Sequence, residues 1–81
     1  MRNEQNREQI ENFLYNIAWL RKHHGLSKKE MAARLEISVW RLTQMERGTL
    51  PPTTDVDVLM RIYKEFGVRP SEQFVKLVDK K

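Results

Sequence analysis

Residues 26–48, LSKKEMAARLEISVWRLTQMERG, decide the fold, because they contain two short helical patterns with almost no chain between them. The first begins after Ser27, and Glu30 can complete a capping box in which each residue satisfies the other's backbone N–H. Ser38 is a typical N-cap for the second pattern. Gly48 suits the end of that pattern, since glycine readily adopts the left-handed conformation. The stretch therefore predicts two consecutive short helices joined by a tight turn.

Helical spacing of apolar residues continues on both sides of this stretch. A first helix is predicted from about residue 6 to residue 24. After the sequence TLPP, Thr53 or Thr54 is the expected cap of a fourth helix that ends at Gly67, and Pro70 suits the first turn of a fifth. The residues expected to face inward are Ile10, Phe13, Leu14, Ile17, Leu20, Met31, Ala32, Leu35, Leu42, Met45, Val56, Leu59, Ile62, Tyr63 and Phe66, followed by the apolar Phe74, Val75, Leu77 and Val78 of the fifth helix. No segment alternates like a strand, so the prediction is an all-α, compact five-helix bundle.

A chain of 81 residues is long enough for one domain and too short for two. We expect a single domain over residues 1–81, with a flexible N-terminus at 1–6, the helix pair at 27–48 and a frayed C-terminus at 79–81. The absence of cysteine rules out disulfides and thiolate metal sites, and the adjacent His23 and His24 make a poor ligand pair. No metal and no cofactor are expected.

The sequence shows no apolar run of about 18 residues and no signal peptide, which predicts a protein of the cytoplasm without a membrane span. It also contains no glycine-rich phosphate loop and no pairing of a nucleophile with a base. The three glycines are all explained as helix ends. The sequence therefore predicts no enzyme.

The positive charge of the chain is concentrated in one region. Residues 21–49 contain seven basic and three acidic side chains, whereas the remaining residues contain eight of each. The whole net charge of +4 therefore lies in and just before the helix pair. A local basic surface is typical of proteins that bind an anionic partner, most often nucleic acid, although a solvated face of the same charge is an equally good interpretation.

The sequence IAWLRKHHGLSKKEMAARLEISVWRLTQMERG resembles the helix-turn-helix family of phage repressors and Cro proteins, the XRE type. The resemblance extends over about residues 10–74. It implies a lambda-repressor-like DNA-binding domain whose second and third helices form the helix-turn-helix, with Ala32 as the small residue where they cross. The positions in register are Ile17, Leu20, Arg21, Gly25, Leu26, Ser27, Met31, Ala32, Leu35, Ile37, Ser38, Leu42, Glu46, Arg47 and Gly48.

In this family the third helix reads base edges in the major groove. The resemblance implies DNA base contacts from Val39, Trp40, Thr43 and Gln44. It implies DNA phosphate contacts from Ser27, Lys28, Lys29, Ser38, Arg41, Arg47 and Thr49, with Arg41 also able to bond guanine. Arg21 and Glu46 are expected to form a structural pair between the first and third helices. The expected protein is a small transcriptional regulator, a repressor that is bacterial or phage-encoded and nucleoid-associated, and that binds double-stranded DNA as a homodimer on a two-fold operator. A toxin or another regulator is a possible protein partner.

The sequence departs from the family pattern at several positions. Glu36 stands in the turn that usually holds glycine, so a left-handed backbone there would strain it. The loop after Gly48 is usually basic, whereas TLPP contains no cation. Val39 and Trp40 occupy positions usually held by polar residues that read bases. They can lie against thymine methyls and the groove wall, form an apolar patch that binds a protein, or, for Trp40, fold back over the helix pair.

The second of these interpretations gives the alternative function, a protein-interaction module built on the same fold. Tyr15 and Trp19 leave a similar choice open. We expect the fifth helix to cover them, and the alternative is a dimer surface. A dimer is expected to use the fourth or fifth helix.

Overall fold

A computed structural model of the chain describes the backbone of residues 2–49 and 56–77, and the side chains from residue 7 onward. Four α-helices follow one another: α1 (Arg2–His23), α2 (Lys28–Leu35), α3 (Val39–Glu46) and α4 (Val56–Phe66). A single turn of 3-10 helix, Pro70–Glu72, comes after α4. The described residues contain no strand. The all-α prediction is therefore confirmed, and α1 begins earlier than predicted. The expected caps Thr53 and Thr54 lie outside the described residues, as do Val78 and residues 79–81.

One apolar core joins the four helices. Helix α3 packs against α1 and α2, and α4 packs against α2 and the 3-10 turn. Ala32 of α2 is buried and belongs to this core. The remaining core residues are Phe13, Leu14, Ile17, Leu20, Met31, Leu35, Leu42, Met45, Val58 and Ile62. Among the described residues, no helix has the length and apolar character needed to cross a membrane.

The buried side of α4 agrees with the prediction at Ile62, which is buried, and at Leu59 and Phe66, which pack against the core. Val58 and Ile62 are buried, whereas Val56 and Tyr63, which were expected inside, are exposed. The apolar residues of α4 form a broad face opposite its charged residues, so their spacing alone does not decide which part of that face packs inward. Ile10 of α1 is also exposed.

The predicted fifth helix is wrong for the described part of the chain. After the 3-10 turn, residues 73–77 form a turn and a bend followed by irregular chain, without a further helix. The side chain of Asn16 donates to the backbone carbonyls of Gln73 (2.7 Å) and Val75 (2.8 Å), and its Oδ1 accepts the N–H of Leu77 (2.8 Å). These contacts take backbone groups that a helix would pair internally, and they hold the segment against α1.

The segment after the 3-10 turn also does not cover Tyr15 as we expected. Phe74 packs instead on Phe13, with the ring centroids 5.3 Å apart, and Val75 is exposed. Tyr15 remains exposed, with Lys76 Nζ 4.9 Å from its ring centroid.

The turn between α2 and α3 has a left-handed residue at Glu36, with φ of 57° and ψ of 44°. Its backbone N–H ends α2 by donating to the carbonyl of Ala33, and the next N–H, that of Ile37, donates to Ala32. The carboxylate of Glu36 is 2.8 Å from Arg61 of α4. This ion pair connects the turn to α4, and the sequence contains no local pattern that predicts a contact between residues so far apart.

Candidate nucleic-acid interface

Helix α3 has one fully buried side and one exposed end. Leu42 and Met45 lie in the core. Val39 and Trp40, in the first turn, keep 44% and 66% of their surface exposed. Trp40 therefore does not fold back over the helix pair, which removes one of the three interpretations of this residue. Two large apolar side chains are left exposed on the first turn of a short helix.

Thr43 and Gln44, the other two candidates for base contacts, are half-buried. Their backbone carbonyls close the end of α3, since both accept the N–H of Arg47 at 3.1 Å and Gln44 also accepts that of Thr49 at 2.9 Å. Thr43 and Gln44 lie one turn after Val39 and Trp40. The structure thus places all four candidate residues on one short helix, in two successive turns.

The start of α2 carries an exposed cap and two exposed cations. The hydroxyl of Ser27 accepts the N–H of Glu30 at 3.1 Å, and the carboxylate of Glu30 accepts the N–H of Ser27 at 2.8 Å. Hydrogen bonding to the carboxylate, first by the backbone N–H of Ser27 and second by its hydroxyl, holds the pKa of Glu30 below its usual value. Lys28 and Lys29 follow directly and are exposed. The capping box leaves both ammonium groups at the surface beside the positive end of the helix dipole.

The start of α3 has a simpler cap. The hydroxyl of Ser38 accepts the N–H of Arg41 at 3.0 Å. The side chain of Arg41 is half-buried and lines a small cavity of about 140 Å³ together with Glu36, Asp57 and Arg61. Arg41 therefore shares this cavity with two acidic residues of its own chain, Glu36 and Asp57.

The last turn of α3 brings the remaining candidates together. Arg47 and Thr49 are both exposed, and Gly48 between them has φ of 93°, a left-handed conformation that glycine adopts without strain. Residues 50–52 of the TLPP loop lie outside the described residues. The cation at this end of α3 is Arg47.

Arg21 and Glu46, the expected structural pair, are in direct contact. Nε of Arg21 is 2.6 Å from Oε2 of Glu46, and Nη2 is 3.0 Å from Oε1. Both side chains are mostly buried. The hydrogen bond to Glu46 raises the pKa of Arg21, and burial opposes that increase only in part. The pair fixes the last residue of α3 to α1.

Sequence reasoning did not predict the groove beside this ion pair. It has a volume of about 660 Å³ and runs between α1 and the end of α3. Tyr15 and Trp19 line one side, and residues 45–48 line the other. Trp19 is half-buried and stacks on His23, with the ring centroids 4.4 Å apart.

Comparison with known families gives one match. The family model described as Helix-turn-helix matches residues 17–73, which is more than half of the chain and contains α2, the turn and α3. Comparison with curated proteins and with solved structures found no match. The chain therefore belongs to the XRE-type, Cro-like family of helix-turn-helix proteins, and this membership indicates DNA binding and a role in transcription regulation.

Proposed function

We propose that this chain binds double-stranded DNA in a sequence-specific manner, with α3 in the major groove, and that it acts as a transcriptional repressor. The observation that carries the proposal is the contrast within α3. Leu42 and Met45 are buried, while Val39 and Trp40 are exposed on the first turn. The N-terminal residues of a recognition helix are those that reach base edges.

The exposed apolar residues suit bases that carry a methyl group. Val39 can contact the C5-methyl of thymine, and Trp40 can lie along the sugar–phosphate wall of the groove. Gln44 can bond adenine through its N6 and N7, and Thr43 can bond either base of a pair. The four residues would read a short sequence that includes an A·T pair.

The phosphate contacts would come from both ends of the helix pair. At the start of α2, Lys28 and Lys29 supply two ammonium groups, and Ser27 marks the positive end of the helix. At the start of α3, Ser38 marks the positive end of that helix, with no cation beside it in the cap. Such contacts orient the protein on the duplex without specifying sequence. Arg47 and Thr49 would bind the backbone at the far end of α3, and Arg41 would bind phosphate or guanine after leaving its cavity.

A homodimer on a two-fold operator is part of the same proposal. A dimer that binds two half-sites at once has higher affinity and sequence specificity for DNA than one copy with a single small interface. The expected separation of the half-sites is one helical turn, about 34 Å. A bound dimer would block access of RNA polymerase to an overlapping promoter. The proposed site of action is bacterial or phage DNA in the cytoplasm, and the proposed activity is binding without catalysis.

The first experiment is selection from a randomised double-stranded DNA pool at two salt concentrations. We expect a palindromic site to be enriched, and Gln44→Ala to lower affinity for it by about 1–3 kcal/mol per half-site. Lys28→Ala should weaken binding to all sequences and reduce the slope of log K against log salt by about 1. Lys76→Ala, which removes an exposed lysine outside the helix pair, is the matched control and should leave the slope unchanged.

Repression is tested separately by transcription in vitro from a promoter that overlaps the selected site. Addition of the protein should reduce the transcript from that template and not from one with a scrambled site. An increase in transcript would contradict the repressor role while leaving DNA binding intact.

The exposure of Val39 and Trp40 also supports a second candidate, a module that binds a protein through these two residues. The two candidates differ in their response to salt and charge. In the second case the DNA pool yields no enriched sequence. Lys28→Ala and Arg41→Ala then leave the affinity for the protein partner unchanged, whereas Trp40→Ala abolishes binding to that partner. Selection that fails at both salt concentrations would favour this second function.

A further inference from the structure

The groove between α1 and the end of α3 has the size of a small-molecule site. Its volume of about 660 Å³ lies within the roughly 300–1,000 Å³ of pockets that bind small ligands. The buried Leu14 and Met45 and the half-buried Ala18 give it apolar surface. The proposed contacts with DNA bases and phosphates leave this apolar surface unused.

Two aromatic side chains, one turn apart on α1, make the groove suitable for a planar molecule. Tyr15 keeps 43% of its surface exposed, and Trp19 is half-buried. The imidazole of His23 lies flat on the indole of Trp19, with the ring centroids 4.4 Å apart and the planes inclined by 10°. This stacking holds the indole in one orientation. Because aromatic rings favour offset-stacked or edge-to-face contacts with one another, the groove favours a ligand with an aromatic body.

The charged residues of the groove are distributed unevenly along it. Lys22 and Arg47 are exposed and line the end near the Arg21–Glu46 pair, since each follows a member of that pair in the sequence. Glu11 also lines the groove, but it lies three turns of α1 before Lys22, about 16 Å away along the helix axis. The groove therefore has a cationic end and an acidic end.

Neither Glu46 nor the end of α3 cancels the cationic end. Both carboxylate oxygens of Glu46 bond the guanidinium of Arg21, at 2.6 and 3.0 Å. The carbonyls of residues 43–45, which would otherwise repel an anion, each accept a backbone N–H from residues 47–49. Within the described part of the chain, no carboxylate forms an ion pair with Lys22 or Arg47. Both cations are therefore available to an anionic ligand.

We propose that this groove binds a small aromatic monocarboxylate, with its ring against Tyr15 and Trp19. The carboxylate of the ligand would lie between Lys22 and Arg47. A second acidic group at the far end of the ligand would approach Glu11, and like charges in contact are unfavourable. The site should therefore prefer a monoacid to a longer diacid.

Binding in the groove would also regulate the protein, and this part of the inference rests on the proposed function. Arg47 is assigned there to a DNA phosphate, so a carboxylate bound to the same guanidinium competes with the duplex. The ligand should lower the affinity for the operator and act as an inducer. By linkage, the operator should lower the affinity for the ligand by the same factor.

The test uses 2-naphthoate as the probe and follows the indole N–H signals of the full chain by NMR. We expect the signal of Trp19 to shift and that of Trp40 to stay unchanged, with a dissociation constant on the order of 0.1–1 mM for so small a ligand. Neutral 2-naphthamide and naphthalene-2,6-dicarboxylate should both bind about fourfold more weakly or worse. Equal affinity of the acid and the amide, or a shift of Trp40 in place of Trp19, would overturn the proposal.

Matched variants assign the contacts. Lys22→Gln and Arg47→Gln should each weaken binding of 2-naphthoate about two- to fivefold and leave that of 2-naphthamide unchanged, whereas Lys64→Gln on α4 should change neither. Tyr15→Ser should weaken both probes about two- to tenfold. Its control is Tyr63→Ser on α4, where the tyrosine is 46% exposed. Circular dichroism shows whether each variant keeps its helices, and folded α1 and α4 variants with equal affinities would refute the site.

The same spectra show whether a second copy of the chain fills the groove instead. Without the probe, the Trp19 signal should stay constant over a wide range of protein concentration. A shift of this signal with concentration, together with loss of 2-naphthoate binding as the concentration rises, would make the groove a contact between copies and contradict the ligand site.

Competition with DNA is measured on the operator obtained by selection. Saturating 2-naphthoate should weaken operator binding several-fold in the natural chain and have no effect in Arg47→Gln, and an unchanged affinity in the natural chain would refute the inducer role. A chain that binds 2-naphthoate at Trp19 but enriches no DNA sequence retains the ligand site and refutes the DNA-binding function. A chain that selects an operator but shows no shift of Trp19 retains the DNA-binding function and refutes the ligand site.

Discussion

Arg21 and Glu46 join three parts of the fold through one guanidinium group. While Nε and Nη2 bond the two carboxylate oxygens of Glu46, Nη1 donates to the backbone carbonyl of Leu26 at 3.1 Å. The same side chain thus connects α1, the turn that precedes α2, and the last residue of α3. Any movement of the end of α3 relative to α2 would require breaking at least one of these hydrogen bonds.

Removal of one member of this pair should be costly. Arg21→Met leaves the mostly buried carboxylate of Glu46 without its partner, and Glu46→Gln removes the charge from the other side. We expect each to lower the free energy of unfolding by about 2–4 kcal/mol, measured by urea denaturation. The matched control is Arg34→Ala, which breaks the longer, more exposed contact with Glu65 at 3.9 Å. That change should cost less than about 1 kcal/mol. Equal losses in Arg21→Met and Arg34→Ala would show that the buried pair contributes nothing beyond an exposed one.

The capping box of α2 makes stability depend on pH. The pKa of Glu30 is lowered in the folded state by its hydrogen bonds with Ser27, so the folded protein favours the charged carboxylate. This contribution is fully present above the unfolded pKa of about 4.3, and it is lost as the pH falls through the lower folded value. Glu30→Gln keeps the shape of the cap and removes the charge. The stability difference between the natural chain and Glu30→Gln should therefore be present at neutral pH and shrink below about pH 4.

The measurement is the urea midpoint of both proteins across that range, with Glu8→Gln in α1 as a matched change outside the capping box. Because other carboxylates titrate in both proteins, only the difference between them reports on Glu30. A difference that is constant with pH would contradict the assignment.

The features that the sequence predicts correctly are those set by near neighbours. Ser27 and Ser38 cap their helices through contacts three residues away. Ala32 is buried as expected, and Gly48 and Glu36 are left-handed where the chain ends a helix or turns. In each case interactions within a short segment determine its conformation, since a cap or a turn depends on a few consecutive residues.

The features that the sequence predicts wrongly depend on distant contacts. Pro70 and the apolar residues after it suit a helix, yet the hydrogen bonds of Asn16 with that segment give its backbone other partners. Asn16 lies on a helix with many polar residues, and nothing in its spacing distinguishes it as buried. Val56 and Tyr63 of α4 were placed inside for a related reason, because a broad apolar face does not by itself determine which of its residues contact the core.

The strain at Glu36 gives a prediction with an internal control. A non-glycine residue in the left-handed region costs about 1–2 kcal/mol, and the ion pair with Arg61 contributes less, since the Glu36 side chain in it is mostly exposed. Glu36→Gly should therefore raise the free energy of unfolding by about 0.5–1 kcal/mol. Glu36→Ala loses the same ion pair and keeps the backbone strain, so it should not raise the free energy of unfolding. If both variants lose stability equally, the contact with Arg61 matters more than the backbone conformation.

Asn16 should be the polar residue on which the segment after α4 depends most. It is buried and makes three hydrogen bonds to backbone groups of residues 73–77. Asn16→Ala would leave the buried carbonyl of Gln73 without that donor, at an expected loss of about 2–4 kcal/mol in the free energy of unfolding. Asn12→Ala is the matched control, since Asn12 is half-buried and makes one bond, to the carbonyl of Phe74 at 3.1 Å. It should cost about 1 kcal/mol.

Hydrogen exchange locates the effect of Asn16→Ala. The N–H of Leu77 donates to Asn16, so its exchange should accelerate in Asn16→Ala much more than the exchange of core amides in α3. In Asn12→Ala the same amide should keep its protection. If the Leu77 amide exchanges at the same rate in Asn16→Ala as in the natural chain, Asn16 does not hold the segment, and the loss of the predicted fifth helix needs another cause.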